Sequence, residues 1–217
     1  MEINQLVQTI AIYALPVLFA ITLHEAAHGY VARHFGDMTA FAERRISLNP
    51  LRHVDPVGTL LVPLVILLVS GGRFLFGWAK PVPVNYSALR KPKQHMAWVA
   101  AAGPAANLAM SIGWALLLKV GLALPESSYS EPMTRMAEAG VRVNLIFMLL
   151  NLLPILPLDG GRILASLLPN RMSWQYARLE PWGLPVLLVL IVTNMLDAVL
   201  GPLLMISESL IHSFVFL

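Results

Sequence analysis

A chain of 217 residues that is 57% hydrophobic and only 12% charged is too apolar for an ordinary soluble domain, in which about a quarter of residues are charged. Its net charge of +3 sits in short loops, which excludes a nucleic-acid-binding surface, and the lack of cysteine excludes disulfides and thiolate-bound metals. These bounds leave an all-α polytopic membrane protein of about four to six membrane segments, in one membrane-embedded domain over 1–217. Sixteen prolines and fourteen glycines imply broken helices, tolerated at membrane depth only where they are buried or line a wet cavity.

The first predicted segment runs from about Leu6 to Ala32, apolar except for Thr9, Thr22 and a histidine cluster. No basic stretch precedes it, so it does not read as a cleavable signal peptide. A polar loop at 37–55 carries Arg44, Arg45 and Arg52. The apolar run from Val57 to Val69 covers about 20 Å as a helix, short of a core of about 30 Å. Phe74 to Val84 reads as extended, because Pro81 and Pro83 forbid a regular helix. A strong span follows from Met96 to Val120, then a mildly acidic loop with Glu126, Glu131 and Glu138. Another span runs from Val141 to about Leu153 and ends in a proline-rich stretch. Beyond an amphiphilic connector at 159–181, the apolar tail from Trp182 is broken at Asp197 and Gly201-Pro202. It forms either two short spans or one span and an interfacial helix. Trp78, Trp98 and Trp182 read as interfacial anchors.

The positive-inside rule places the basic loops around 33–52, 80–93 and 162–178 in the cytoplasm and the acidic loop outside. The first two share a side only if 57–84 is a re-entrant hairpin, helix in and extended chain out. The N-terminus is then outside, and the expected location is a prokaryotic inner (plasma) membrane.

His24-Glu25-Ala26-Ala27-His28 is an HExxH motif, for which this composition gives a chance expectation of roughly 0.006 matches. On a helix both imidazoles share a face and can bind one Zn²⁺, while Glu25 reaches the water beside it. His24 lies nine residues before Arg33, about 14 Å along a helix, a depth at which ionisable groups are costly without a metal or partner. The alternative is an interfacial helix whose histidines reach headgroups. A catalytic zinc usually takes three protein ligands. His34, Glu43, His53, Asp55 and His95 fall in basic loops expected at the surface. Asp159 arrives at a depth similar to His24, after Pro154 and Pro157 and before Gly160-Gly161, which let the backbone turn. It is either the third ligand or the cap of the next helix. Asn107 and Asn151 lie at related depths, as interhelical hydrogen-bonding glue or as lining of a substrate site.

HEAAH at 24–28, GPAAN at 103–107 and NLLPILPLDGG at 151–161 together resemble the site-2 protease family of intramembrane zinc metalloproteases. Asn151, Pro154, Pro157, Asp159 and Gly160 fit the family's second motif in order, and the resemblance covers about 20–165. It implies that Asp159 is the third zinc ligand and that Asn151 binds substrate backbone. It also implies that 74–84 corresponds to a membrane-associated β element that holds substrate extended. Neither a PDZ-like domain nor a CBS pair is seen, so the resemblance is to a minimal form, with a catalytic core at about 6–165 and membrane segments at 182–217. The expected reaction is hydrolysis of peptide bonds within or next to transmembrane helices by zinc-activated water, with Glu25 as general base. A metal transporter is the competing reading. It requires ionisable groups along a route through the spans, whereas those seen here cluster at one depth. An intact Glu25 argues against a non-catalytic protein on this scaffold.

Overall fold

The computed structural model describes residues 3–62, 64–65, 77, 79–125, 127 and 129–216. Eight α-helices are named here: α1 (Ile3–His34), α2 (Thr39–Ala42), α3 (Pro92–Ala123), α4 (Ser130–Asn151), α5 (Asp159–Leu167), α6 (Asn170–Ala177), α7 (Glu180–Val192) and α8 (Met195–Phe216). No strand occurs among the described residues. Among the described residues, three helices are long and apolar enough to cross a membrane: α1 from Val7, α3 and α8.

The bundle is organised around α3, which packs against α1, α4, α5 and α8. Two stripes explain the contact with α1. Buried positions recur every fourth residue in α3, at Val99, Gly103, Asn107, Ser111 and Ala115. Pro16, Ala20, His24, His28 and Ala32 are likewise buried at every fourth position in α1. Small side chains at this spacing let two backbones approach closely, which favours helix pairing where no hydrophobic effect drives it. Gly140 does the same for α4, since a Cβ there would lie 2.2 Å from the Trp114 ring. The outward faces of α7 and α8 remain apolar, with Val189, Val192, Ile206 and Leu210 each more than half exposed.

Several boundaries differ from expectation. Glu131 and Glu138 belong to α4, eleven residues of which precede Val141. Its charges sit at helical spacing, and Arg135 pairs with Glu131 at 2.6 Å, so they support a helix that their polarity disguised as a loop. The tail breaks at Thr193-Asn194, where Asn194 adopts a left-handed φ of 56°, a conformation that asparagine tolerates. Asp197, Gly201 and Pro202 all lie inside α8. Gly160 and Gly161 have no left-handed φ; they open α5. Cβ atoms on them would lie 2.2 Å from Leu152 O and 2.6 Å from Leu156 N, and one on Gly183 would lie 1.4 Å from Leu156 O. Glycine is required here so that α5 and α7 can close on the proline-rich loop.

The middle of the expected hairpin, including Phe74–Leu75–Phe76 and Trp78, lies outside the described residues. Of the remainder, Pro56–Leu61 is helical and 79–85 carries no regular structure.

Candidate metal centre

His24 and His28 face α3, one turn apart on α1, and α5 brings Asp159 to them. The three side chains are buried, and their ligand atoms form the one cluster of metal-binding character among the described residues. His24 Nε2 and His28 Nε2 are 3.1 Å apart, and Asp159 Oδ2 lies 3.2 Å and 3.3 Å from them.

The protons on these rings follow from a chain of hydrogen bonds that ends on backbone carbonyls, which can only accept. Asn144 Nδ2 donates to Gly140 O at 2.8 Å, so Asn144 Oδ1 is turned to accept from Asn107 Nδ2 at 3.0 Å. Asn107 Nδ2 also donates to Ala20 O at 3.2 Å, leaving Asn107 Oδ1 to accept from His24 Nδ1 at 2.6 Å. His28 Nδ1 donates to Val99 O at 2.7 Å. Each neutral ring thus carries its proton on Nδ1 and turns a bare Nε2 lone pair inward. Asp159 Oδ2 is buried without a hydrogen-bond donor. Three lone-pair atoms therefore face one another with no proton between them, an arrangement that repels itself unless a cation lies among them. The spacing fits one, because a tetrahedral zinc with bonds of about 2.0–2.1 Å holds its ligand atoms about 3.3 Å apart.

Gly103 completes the cradle. A Cβ there would lie 2.5 Å from His24 Cε1 and 2.5 Å from His28 Nε2. Asp159 is the first residue of α5, with Leu158 at the capping position.

Glu25 lies beside this face, half-buried, and its Oε2 accepts from Val82 N at 2.7 Å. Pro81 and Pro83 have no N–H, so Val82 supplies the lone amide donor of 81–83, and that donor is taken by Glu25. The stretch is fastened on either side: Arg45 Nη2 donates to Lys80 O at 2.9 Å and Pro81 O at 3.2 Å, and Asn85 N donates to the fully buried Asp37 at 2.6 Å.

Asn107 is fully buried with its amide committed to His24, Ala20 and Asn144. Asn151 is not brought into this network; its Nδ2 donates to Phe147 O at 3.0 Å. His34, Glu43, His53, Asp55 and His95 do not join the cluster. His53 differs from expectation in being buried, with Nε2 bonded to Ser47 O at 2.9 Å. Ionisable groups are not confined to this cluster either. Glu138 and Arg142 of α4 and Glu208 and His212 of α8 line a second cavity of about 300 Å³. The sequence reading missed Asn144, Val99 O and Asp37. Asn144 had a signal, an amide in an apolar stretch seven residues before Asn151, whereas a backbone carbonyl has none.

A sequence model of peptidase family M50 matches residues 119–193. The chain is also 39% identical over 193 residues to "Putative zinc metalloprotease YwhC" of Bacillus subtilis, covering 88% of this chain and 84% of that one. The chain belongs to peptidase family M50. "Putative zinc metalloprotease Rip2" of Mycolicibacterium smegmatis is 30% identical over 180 residues, 83% of the M50 chain and 66% of its own length. The Rip2 of Mycobacterium tuberculosis H37Rv matches similarly, 30% over 184 residues. No solved structure matched the M50 chain. With this family and three apolar helices of spanning length, it is an integral membrane protein and a zinc metalloprotease of the site-2 protease type.

Proposed function

We propose that this protein cleaves peptide bonds within or next to transmembrane helices of other membrane proteins, with His24, His28 and Asp159 as zinc ligands and Glu25 as the general base. The observation that carries the reading is the convergence of two Nε2 lone pairs and Asp159 Oδ2 at 3.1–3.3 Å, with both imidazole tautomers set from behind. Zinc, when bound there, supplies a Lewis acid that activates water and polarises a carbonyl.

The chain's own residues do the rest. Asn107 and Val99 O orient the rings, making Asn107 a positioning residue. Glu25 takes a proton from the attacking water and passes it to the leaving amine. To do so it exchanges its bond to Val82 N–H for one to water. That exchange frees the Val82 amide for the backbone of an extended substrate, so a strand laid along 79–84 and release of the base are one event. Asn151 Oδ1, which has no donor among the described residues, is the further candidate to accept from substrate backbone. The site lies in the cytoplasmic half of a prokaryotic inner membrane, with the N-terminus outside, because the basic loops follow α1 and precede α3. All of 1–217 acts as one membrane-embedded domain.

The test is cleavage of a single-span substrate in proteoliposomes by wild type and by E25Q. The rate is expected to fall at least about a hundredfold while zinc per chain, read by elemental analysis, stays unchanged. Wild-type cleavage by E25Q, or a purified active protein without zinc, would sink the assignment.

A further inference from the structure

The loops after α1 carry an open, shallow concavity of about 420 Å³ that the proposed protease chemistry does not use. Arg44, Arg45, Arg52 and Lys80 line it, with Glu43 as the sole carboxylate of the lining. Four cations around one hollow repel each other, and one carboxylate cannot balance them. Arg45 is only 9% exposed, yet its Nε has no hydrogen-bond partner among the described residues. A buried guanidinium N–H without an acceptor carries a desolvation cost, and Arg45, in the wall of the hollow, has no carboxylate partner among the described residues, so it adds an unbalanced positive charge to the three exposed ones. A tetrahedral phosphate has the charge for several guanidinium groups and the oxygen geometry for their forked donors.

Arg45 also faces the catalytic side. Its Nη2 holds the carbonyls of Lys80 and Pro81, and the next amide, Val82 N–H, is the donor to Glu25. We propose that this hollow binds a phosphate group and that its occupancy is transmitted through Arg45 and the Lys80–Val82 backbone to Glu25. Phosphate at Arg45 steadies the grip on 80–81 and with it the Val82 bond, so the occupied state holds the base in reserve. Binding itself is independent of the protease reading; the consequence for catalysis rests on Glu25 being the base.

The test uses the full chain in maltoside micelles with two probes, inorganic phosphate and phosphatidylglycerol mixed into the micelle, against chloride at equal ionic strength. Thermal stability reports binding and hydrogen exchange of the Val82 amide reports transmission. Wild type is expected to gain stability and to slow exchange at Val82. R44Q/R52Q, which removes two exposed guanidinium groups and keeps Arg45, is expected to bind roughly tenfold more weakly or worse. R44Q alone substitutes if the double variant does not fold. A response to inorganic phosphate supports a soluble source, and a response to phosphatidylglycerol alone supports a lipid headgroup. No response in wild type, or equal responses in wild type and variant, overturns the site. Binding without any change at Val82 overturns the transmission.

Discussion

The two sides of the HEAAH turn are held in different ways. His24 and His28 face α3, where glycine, asparagine and a backbone carbonyl leave each ring one position and one tautomer. Glu25 faces an irregular stretch and is held by a single amide from Val82. The proposed ligands are fixed by helix packing that only unfolding would undo. The proposed base is held by a bond that a substrate backbone can replace. Catalysis requires both, since a metal site gains from preorganisation while a base must exchange partners during the reaction.

The sharpest way to break this contrast is G103A. Its methyl would meet both imidazoles at 2.5 Å from a backbone that cannot retreat, and overpacking of this kind costs about 1–3 kcal/mol before the ligands are displaced. Zinc affinity, measured by chelator competition, should fall at least about a hundredfold and cleavage should vanish with it. Retention of zinc by G103A would mean that α1 and α3 are not locked as described. N107A is expected to act more mildly, lowering zinc affinity about 10- to 100-fold, as removal of an outer partner of a metal-bound histidine does. Because Asn107 is fully buried, a loss of thermal stability should accompany it. N107D restores an acceptor at the same place and should recover part of the zinc affinity. V82P probes the other side. Removing the one donor to Glu25 should leave zinc affinity within about twofold, while hydrogen exchange across residues 79–85 rises roughly tenfold or more. If V82P lost zinc, the two sides would be one unit and the contrast would fail.

The cluster itself was legible because HExxH encodes geometry by spacing, and because one carboxylate at matching depth followed a helix-breaking loop. The resemblance to the site-2 protease family named the same three residues, with Glu25 beside them. The supports were harder to read. Asn107 could be placed in depth, but only the packed structure reveals that its amide is spent on His24, Ala20 and Asn144. Val99 contributes through its carbonyl, which any residue would supply. The charges of α4 concealed its first turns because a loop and a helix with i,i+4 ion pairs have the same composition. Gly160 and Gly161 were read as turn residues, whereas the structure uses them for lack of volume. Proline and glycine in a tail suggest a break, yet α8 runs through Gly201-Pro202 and the chain turns at Asn194 instead.

The matched four-residue stripes of α1 and α3 carry a consequence for how such a protein can change. Inserting one residue rotates the rest of a helix by about 100°. An insertion between Ala20 and His24, or between Gly103 and Asn107, would swing half of each stripe out of the interface and turn the ligands or their supports away. Length variation is thus barred from the helices and permitted in the connections between them. Growth of this architecture, whether by evolution or by engineered fusion, has its openings near Ser127 and Asn194, since the loop after His34 is tied to 80–85 through Asp37 and Arg45. Insertion scanning with a zinc-retention readout would draw that map directly.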